Sequence, residues 1–150
     1  MSSLRQDLEA VSRALQALHR QILEAEGAYF PGRSSLELLD RLLNAPEWAW
    51  LRALSMSVTD LDEALAKDTD LTPDDAAAAA GHVRALVFGL GEPRDEAFLR
   101  RYRPLLQQSA ALASAHGELK RLVDALPPES QNASEKLHAR HVWAMRCKHR

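Results

Sequence analysis

The segment Pro46-Glu47-Trp48-Ala49-Trp50-Leu51-Arg52-Ala53-Leu54-Ser55, continuing through Val58, Leu61 and Leu65, is apolar around most of a helical circumference and holds two of the chain's three tryptophans. A helix that is apolar nearly all round has to be surrounded by other helices. The segment is therefore expected to run from Pro46, well suited to a first helical position, to about Lys67, at the centre of a bundle.

The rest of the chain supplies the partners. Leu4, Leu8, Val11, Leu15, Leu18 and Ile22 recur at spacings of four and three, which predicts an amphipathic helix or coiled-coil seam from about Ser3 to Tyr29. Phe30-Pro31-Gly32 ends it. Ser34 with Glu37 reads as a capping box opening a short helix through Leu36, Leu39, Leu42 and Leu43. Thr72-Pro73-Asp74-Asp75 starts another: a hydroxyl cap, a proline in the first turn, and acids where the helix dipole favours them. The Ala76–Ala80 run that follows has high helix propensity and side chains small enough for close packing. Gly89-Leu90-Gly91-Glu92-Pro93 stops it. Phe98, Leu99 and Tyr102 mark a helix that Pro104 is expected to break, kink or separate from the next, and Leu105, Leu112, Leu119, Leu122 and Leu126 a last long one. Valine and isoleucine are scarce and no segment alternates as a strand would. The expected fold is all-α: an antiparallel bundle of about five to six helices, with a basic C-terminal tail or extra helix.

Charge divides the chain at Pro127-Pro128. Residues 1–126 carry 14 Lys/Arg against 19 Asp/Glu, a net of −5; residues 127–150 carry 5 against 2, a net of +3, with three of the six histidines. A bundle domain over 1–126 and a basic tail over 127–150 follow. The tail reads as a helix, with Leu137, His141 and Met145 or else Val142 and Trp143 on its apolar side, or as an arm ordered by a partner. Overall charge is only −2, so nothing global argues for nucleic acid; only the tail, with Arg140, Trp143 and Arg146, has the mixture of charge and stacking surface that single strands use. One cysteine, Cys147, excludes an internal disulfide. No apolar run approaches the roughly 20 residues of a membrane span, and Arg5, Asp7 and Glu9 interrupt any signal-peptide core. A cytoplasmic protein without membrane contact is expected.

The sequence offers little chemistry. A di-iron bundle needs two Glu-x-x-His motifs with two further glutamates; only Glu135-Lys136-Leu137-His138 fits. Asp68-x-Asp70-x-Thr72 begins like a calcium loop, but Pro73 stands at the required glycine and Ala79 at the required glutamate. These acids read as caps and a solvated corner. Gly89-x-Gly91 lacks the third glycine and preceding strand of a phosphate loop. His138, His141, Cys147 and His149 are the only metal-ligand types with plausible spacing, amid basic neighbours that oppose a cation. No triad spacing is present, so no catalytic residue, metal or cofactor is expected.

Arg52 stands out, because an unpaired charge on a buried helix is costly. Either its stem packs while the guanidinium reaches water, or it meets Glu24, Glu26 or Asp62. In the latter case Arg52, His19, Glu26, Tyr29 and Trp48 would line a semi-buried ligand pocket.

Leu18-His19-Arg20, Glu24, Glu26 and Tyr29, then Pro46-x-Trp48-Ala49-Trp50-Leu51-Arg52-x-Leu54-Ser55, then Asp62-Glu63, with Phe98, Tyr102, Leu106 and His116-Gly117, resemble a family of small uncharacterised bacterial all-helical proteins. Its hallmark is Pro-x-Phe-Ala-Trp-Leu-Arg-x-Leu-Ser followed by Asp-Glu, with Trp48 here at the phenylalanine. The resemblance spans about residues 4–126 and implies a bacterial helical protein, with no catalytic residues to transfer. The resulting expectation is a non-enzymatic interaction or regulatory protein, a homodimer or a partner of another protein, with the first helix's seam buried either within the bundle or across a two-fold interface. The alternatives are a small-ligand binder or enzyme at Arg52, and metal or nucleic-acid binding by the tail.

Overall fold

The four-three repeat near the N-terminus forms one amphipathic helix, α1 (Leu4–Ala25). Its start is a reciprocal capping box: the Ser3 hydroxyl accepts the Gln6 N–H, and the Gln6 side-chain oxygen accepts the Ser3 N–H. The computed structural model describes residues 3–26 and 44–148. Among them are five further α-helices, α2 (Arg52–Lys67), α3 (Pro73–Val83), α4 (Glu96–Gln108), α5 (Ala110–Asp124) and α6 (Ala133–Lys148), and no strand. The protein is an all-α helical bundle. The short helix expected from Ser34 lies outside the described residues.

Leu8, Val11, Leu15, Leu18 and Ile22 of α1 are each no more than 1% exposed. They pack chiefly on α5 and α2 and also reach α3 and α4. Of the two fates open to this seam, burial within the bundle or across a two-fold interface, the first is the one seen: it packs against the chain's own helices.

The tryptophan segment departs from expectation in two ways. Pro46–Leu51 is a 3₁₀ turn, and the α-helix begins only at Arg52. Nor is α2 buried all round: Leu54, Ser55, Leu61, Ala64 and Leu65 face the core, while Arg52, Met56, Asp62 and Lys67 are exposed and Trp48 and Trp50 half-buried. The helix enclosed on every side is α3, where each residue from Asp75 to Gly81 is buried. Alanine and glycine need the least room, so neighbouring helices close over it from several directions at once.

Local signals decide the ends. The Thr72 hydroxyl accepts the Asp75 N–H and the Asp75 carboxylate accepts the Thr72 N–H. At its far end α3 runs into a π-helical turn, Arg84–Phe88, closed by Gly89 at φ +66°, a left-handed value that favours glycine. Pro104 does not break α4, which continues to Gln108. The break comes at Ser109, whose N–H donates to the Leu105 carbonyl while its hydroxyl caps α5 through the Leu112 N–H.

The basic C-terminal segment forms α6 and packs on α3 and α2. Asn132 caps it by accepting the Glu135 N–H. Of the two candidate faces, Val142 and Trp143 turn inward, whereas Leu137 and Met145 are exposed. So small an apolar face is supplemented by charge. Arg140 forms two 2.7 Å bonds to Glu129 and also reaches the Glu92 carbonyl. Arg146 meets Asp70 at 3.1 Å, Asp75 at 3.2 Å and Asp68 at 3.5 Å. The acidic corner, expected to be solvated, is the docking site of the tail. Gly81 belongs to the same joint: a Cβ there would fall 2.2 Å from the Glu129 carboxylate.

Two outcomes are expected. Leu8→Glu should unfold the protein, seen as loss of helical circular dichroism, and not merely dissociate an oligomer; a folded variant would show that α1 is not the core. Cys147 sits on the inner side of α6, so its reactivity toward a thiol reagent reports α6 docking. Arg146→Gln, or 1 M salt, which shortens the screening length to about 3 Å, should raise that reactivity several-fold. Unchanged reactivity under both would mean that the ion pairs do not hold α6.

Candidate functional site

Among the described residues, those singled out around Arg52 do not gather on it. Arg52 opens α2 with its side chain exposed, which counts against a pocket organised by its guanidinium. Glu26 pairs instead with Arg101 at 3.6 Å, and Arg101 lies 4.9 Å over the Trp50 ring. Trp48 tilts against Trp50, which stacks on Phe98. His19 turns to α2, its Nε2 2.9 Å from the Ser55 hydroxyl. Tyr29 lies outside the described residues.

The tail's metal-ligand candidates separate likewise. His138 and His141 are exposed on α6, Cys147 points to its inner side, and His149 lies outside the described residues. Among the described residues no three of His, Cys, Asp and Glu are grouped to hold a metal. Arg140 and Arg146, the cations that would have met nucleic acid, are engaged by carboxylates of the body.

A different site forms where α6 lies across α2 and α3. There a groove of about 350 Å³ opens between Leu61 of α2, Ala79 and Val83 of α3, and Trp143, Ala144 and Cys147 of α6, with Leu15 of α1 beneath. Its polar residues are Ser57, Asp60 and His82. Ser57 and Asp60 are three apart on α2 and share a face. The groove exists because the sequence places small side chains, Ala79 and Ala144, on facing helices, flanked by the bulk of Trp143 and Met56.

The Ser57 hydroxyl lies 2.9 Å from both the Ala53 carbonyl and His82 Nε2. A hydroxyl has one proton to give. Donated to the helical carbonyl, it leaves the oxygen to accept His82 Nε2–H. This is the reverse of the proton arrangement a nucleophilic serine needs, and Ser57 sits within a regular helix rather than on a strained turn.

Hydroxyl–imidazole pairing recurs. Tyr102 OH is 2.6 Å from His116 Nδ1, His19 meets Ser55, and His82 meets Ser57. Burial pushes all three imidazoles below their usual range, His19 to about 4. At His82, which keeps an exposed edge, the Asp60 charge opposes that shift and Arg140 adds to it; at His116 Lys120 adds to it. Burial raises the Tyr102 phenol, suiting it to donate to the neutral imidazole. All three histidines are therefore neutral near pH 7.

No protein-family model, curated protein or solved structure matches the chain. The function must be read from the site alone. Sequence reasoning missed the groove because Ser57 and His82 lie 25 residues apart on two helices, with no motif to link them. The only available signal was the opposed charge of tail and body, from which docking of the tail, though not what it encloses, could have been read.

The histidines predict the response to acid. A histidine whose folded pKa lies below its ordinary 6.5 leaves stability intact above pH 6.5. As pH falls from there toward 4, the unfolded chain takes up the proton first and stability is lost. For His19 the drop from 6.5 to about 4 corresponds to roughly 3 kcal/mol. The urea midpoint should therefore fall between pH 7 and pH 5, and His19→Gln should flatten that slope. An equally steep slope in the variant would assign the effect elsewhere.

Proposed function

We propose that this protein is a non-catalytic binding protein whose ligand is a small apolar molecule held in the groove between α2, α3 and α6. The observation that carries the reading is the groove itself: an apolar-walled opening with a single polar side. Its volume lies at the lower end of the range for small-molecule sites, which are typically apolar with a few convergent polar groups. Three helices contribute to its walls, so an occupant would bridge the body and α6 and stabilise their contact by mass action. A binding role also agrees with the committed proton of Ser57 and with neutral His82, which together make a fixed hydrogen-bonding surface rather than an acid–base pair.

A regulatory role fits the same geometry, because occupancy would alter how firmly α6 is held. The tail is then a structural wall of the site, not an arm for metal or nucleic acid.

A neutral fluorescent naphthylamine, bright only in apolar surroundings, tests this directly. Saturable one-site binding is expected. Ala144→Trp, a substitution at an exposed position on the groove wall, should abolish it while leaving the circular dichroism unchanged. Absence of saturable binding, or the same affinity in the variant, would refute the groove as the site.

A further inference from the structure

Resting on the binding reading just given, the chemistry of the groove narrows its occupant. With the Ser57 proton on the Ala53 carbonyl, 2.9 Å away, the Ser57 oxygen takes the His82 Nε2–H, also at 2.9 Å. The proton of the imidazole is thereby placed on Nε2, and the remaining ring nitrogen, Nδ1, carries a lone pair. Asp60, next along the same face of α2, adds a carboxylate. A carboxylate accepts through either oxygen and retains capacity when one is engaged. The polar groups that α2 and α3 bring to the groove thus accept hydrogen bonds. Trp143 of α6 lines the same groove, and an aromatic side chain favours contact with a flat aromatic molecule.

We propose that the groove selects a small aromatic molecule bearing an N–H or O–H donor, and discriminates against carboxylates and against donor-free isosteres of the same shape. Apolar walls alone would not distinguish two isosteres, since both bury the same area. An acceptor that exchanges a water for a ligand without a donor loses that one hydrogen bond, and the loss creates the discrimination. An anionic ligand meets the Asp60 charge in a setting where apolar walls reduce screening.

Indole, benzofuran and indole-2-carboxylate separate these effects, titrated calorimetrically into the full chain. Indole and benzofuran share shape and differ in the N–H. Indole is expected to bind at least about tenfold more tightly than benzofuran, the equivalent of one hydrogen bond, and indole-2-carboxylate not to displace it. Asp60→Ala and His82→Phe should each narrow the ratio between indole and benzofuran. Asp60→Ala, on a partly exposed helical face, serves where His82→Phe does not fold. Equal affinity for indole and benzofuran, or a ratio unmoved by the substitutions, would overturn the donor rule and leave the groove standing as a binding site. No binding by any of these or by the naphthylamine would overturn both.

Discussion

The buried stripe of α1 organises the bundle. Five side chains, Leu8, Val11, Leu15, Leu18 and Ile22, are withdrawn from water almost completely, each worth on the order of 1.5–3 kcal/mol as an upper estimate. The stripe packs mainly on α2 and α5, and the positions of those helices follow from it. The same burial turns the apolar stripe of α1 away from the surface, so that it builds the chain's own core.

α3 solves a packing problem that this arrangement creates. Its first turn must admit Asp75, a carboxylate only 2% exposed. The penalty for burying that charge is offset by its own helix cap and by Arg146 from α6. Burial of the Arg146 guanidinium favours its neutral form, but the hydrogen bonds and charges of Asp70 and Asp75 outweigh that and keep it ionised. α6 is therefore attached by paired charge at two places and by Trp143 between them. Such a joint has direction, because guanidinium and carboxylate must align, and it sets Trp143 into the wall of the groove.

The interior polar groups follow a single rule. Each of the three paired histidines is neutral and shares a hydrogen bond with a hydroxyl. The pairs satisfy groups that would otherwise be costly to bury without introducing charge. Two of them join neighbouring helices through half-buried histidines. The third, Ser57 with His82, borders open space, and that difference in surroundings, not in chemistry, gives it a binding role in our reading.

Much of the fold was legible in residues that act locally. The α1 repeat, the Thr72–Asp75 cap, the stop at Gly89 and the lack of strands among the described residues are determined by neighbours a few positions away, and short-range sterics and periodicity suffice to read them. Other features depend on what a residue meets across the bundle. The tryptophan segment seemed destined for the centre by composition, yet alanine-rich α3 took that place because small side chains permit the closest enclosure. Arg52 went to solvent, while Arg146, at the edge of an apparently solvated tail, found three aspartates. Sequence by itself determined that the chain is helical and where the clearly capped ends fall, at Ser3, Thr72 and Gly89, since those choices are made by local backbone energetics. Only the tertiary structure decided which faces meet, which charges pair and that Ser57, His82 and Trp143 border one groove, because long-range contacts are chosen by the simultaneous packing of all the helices.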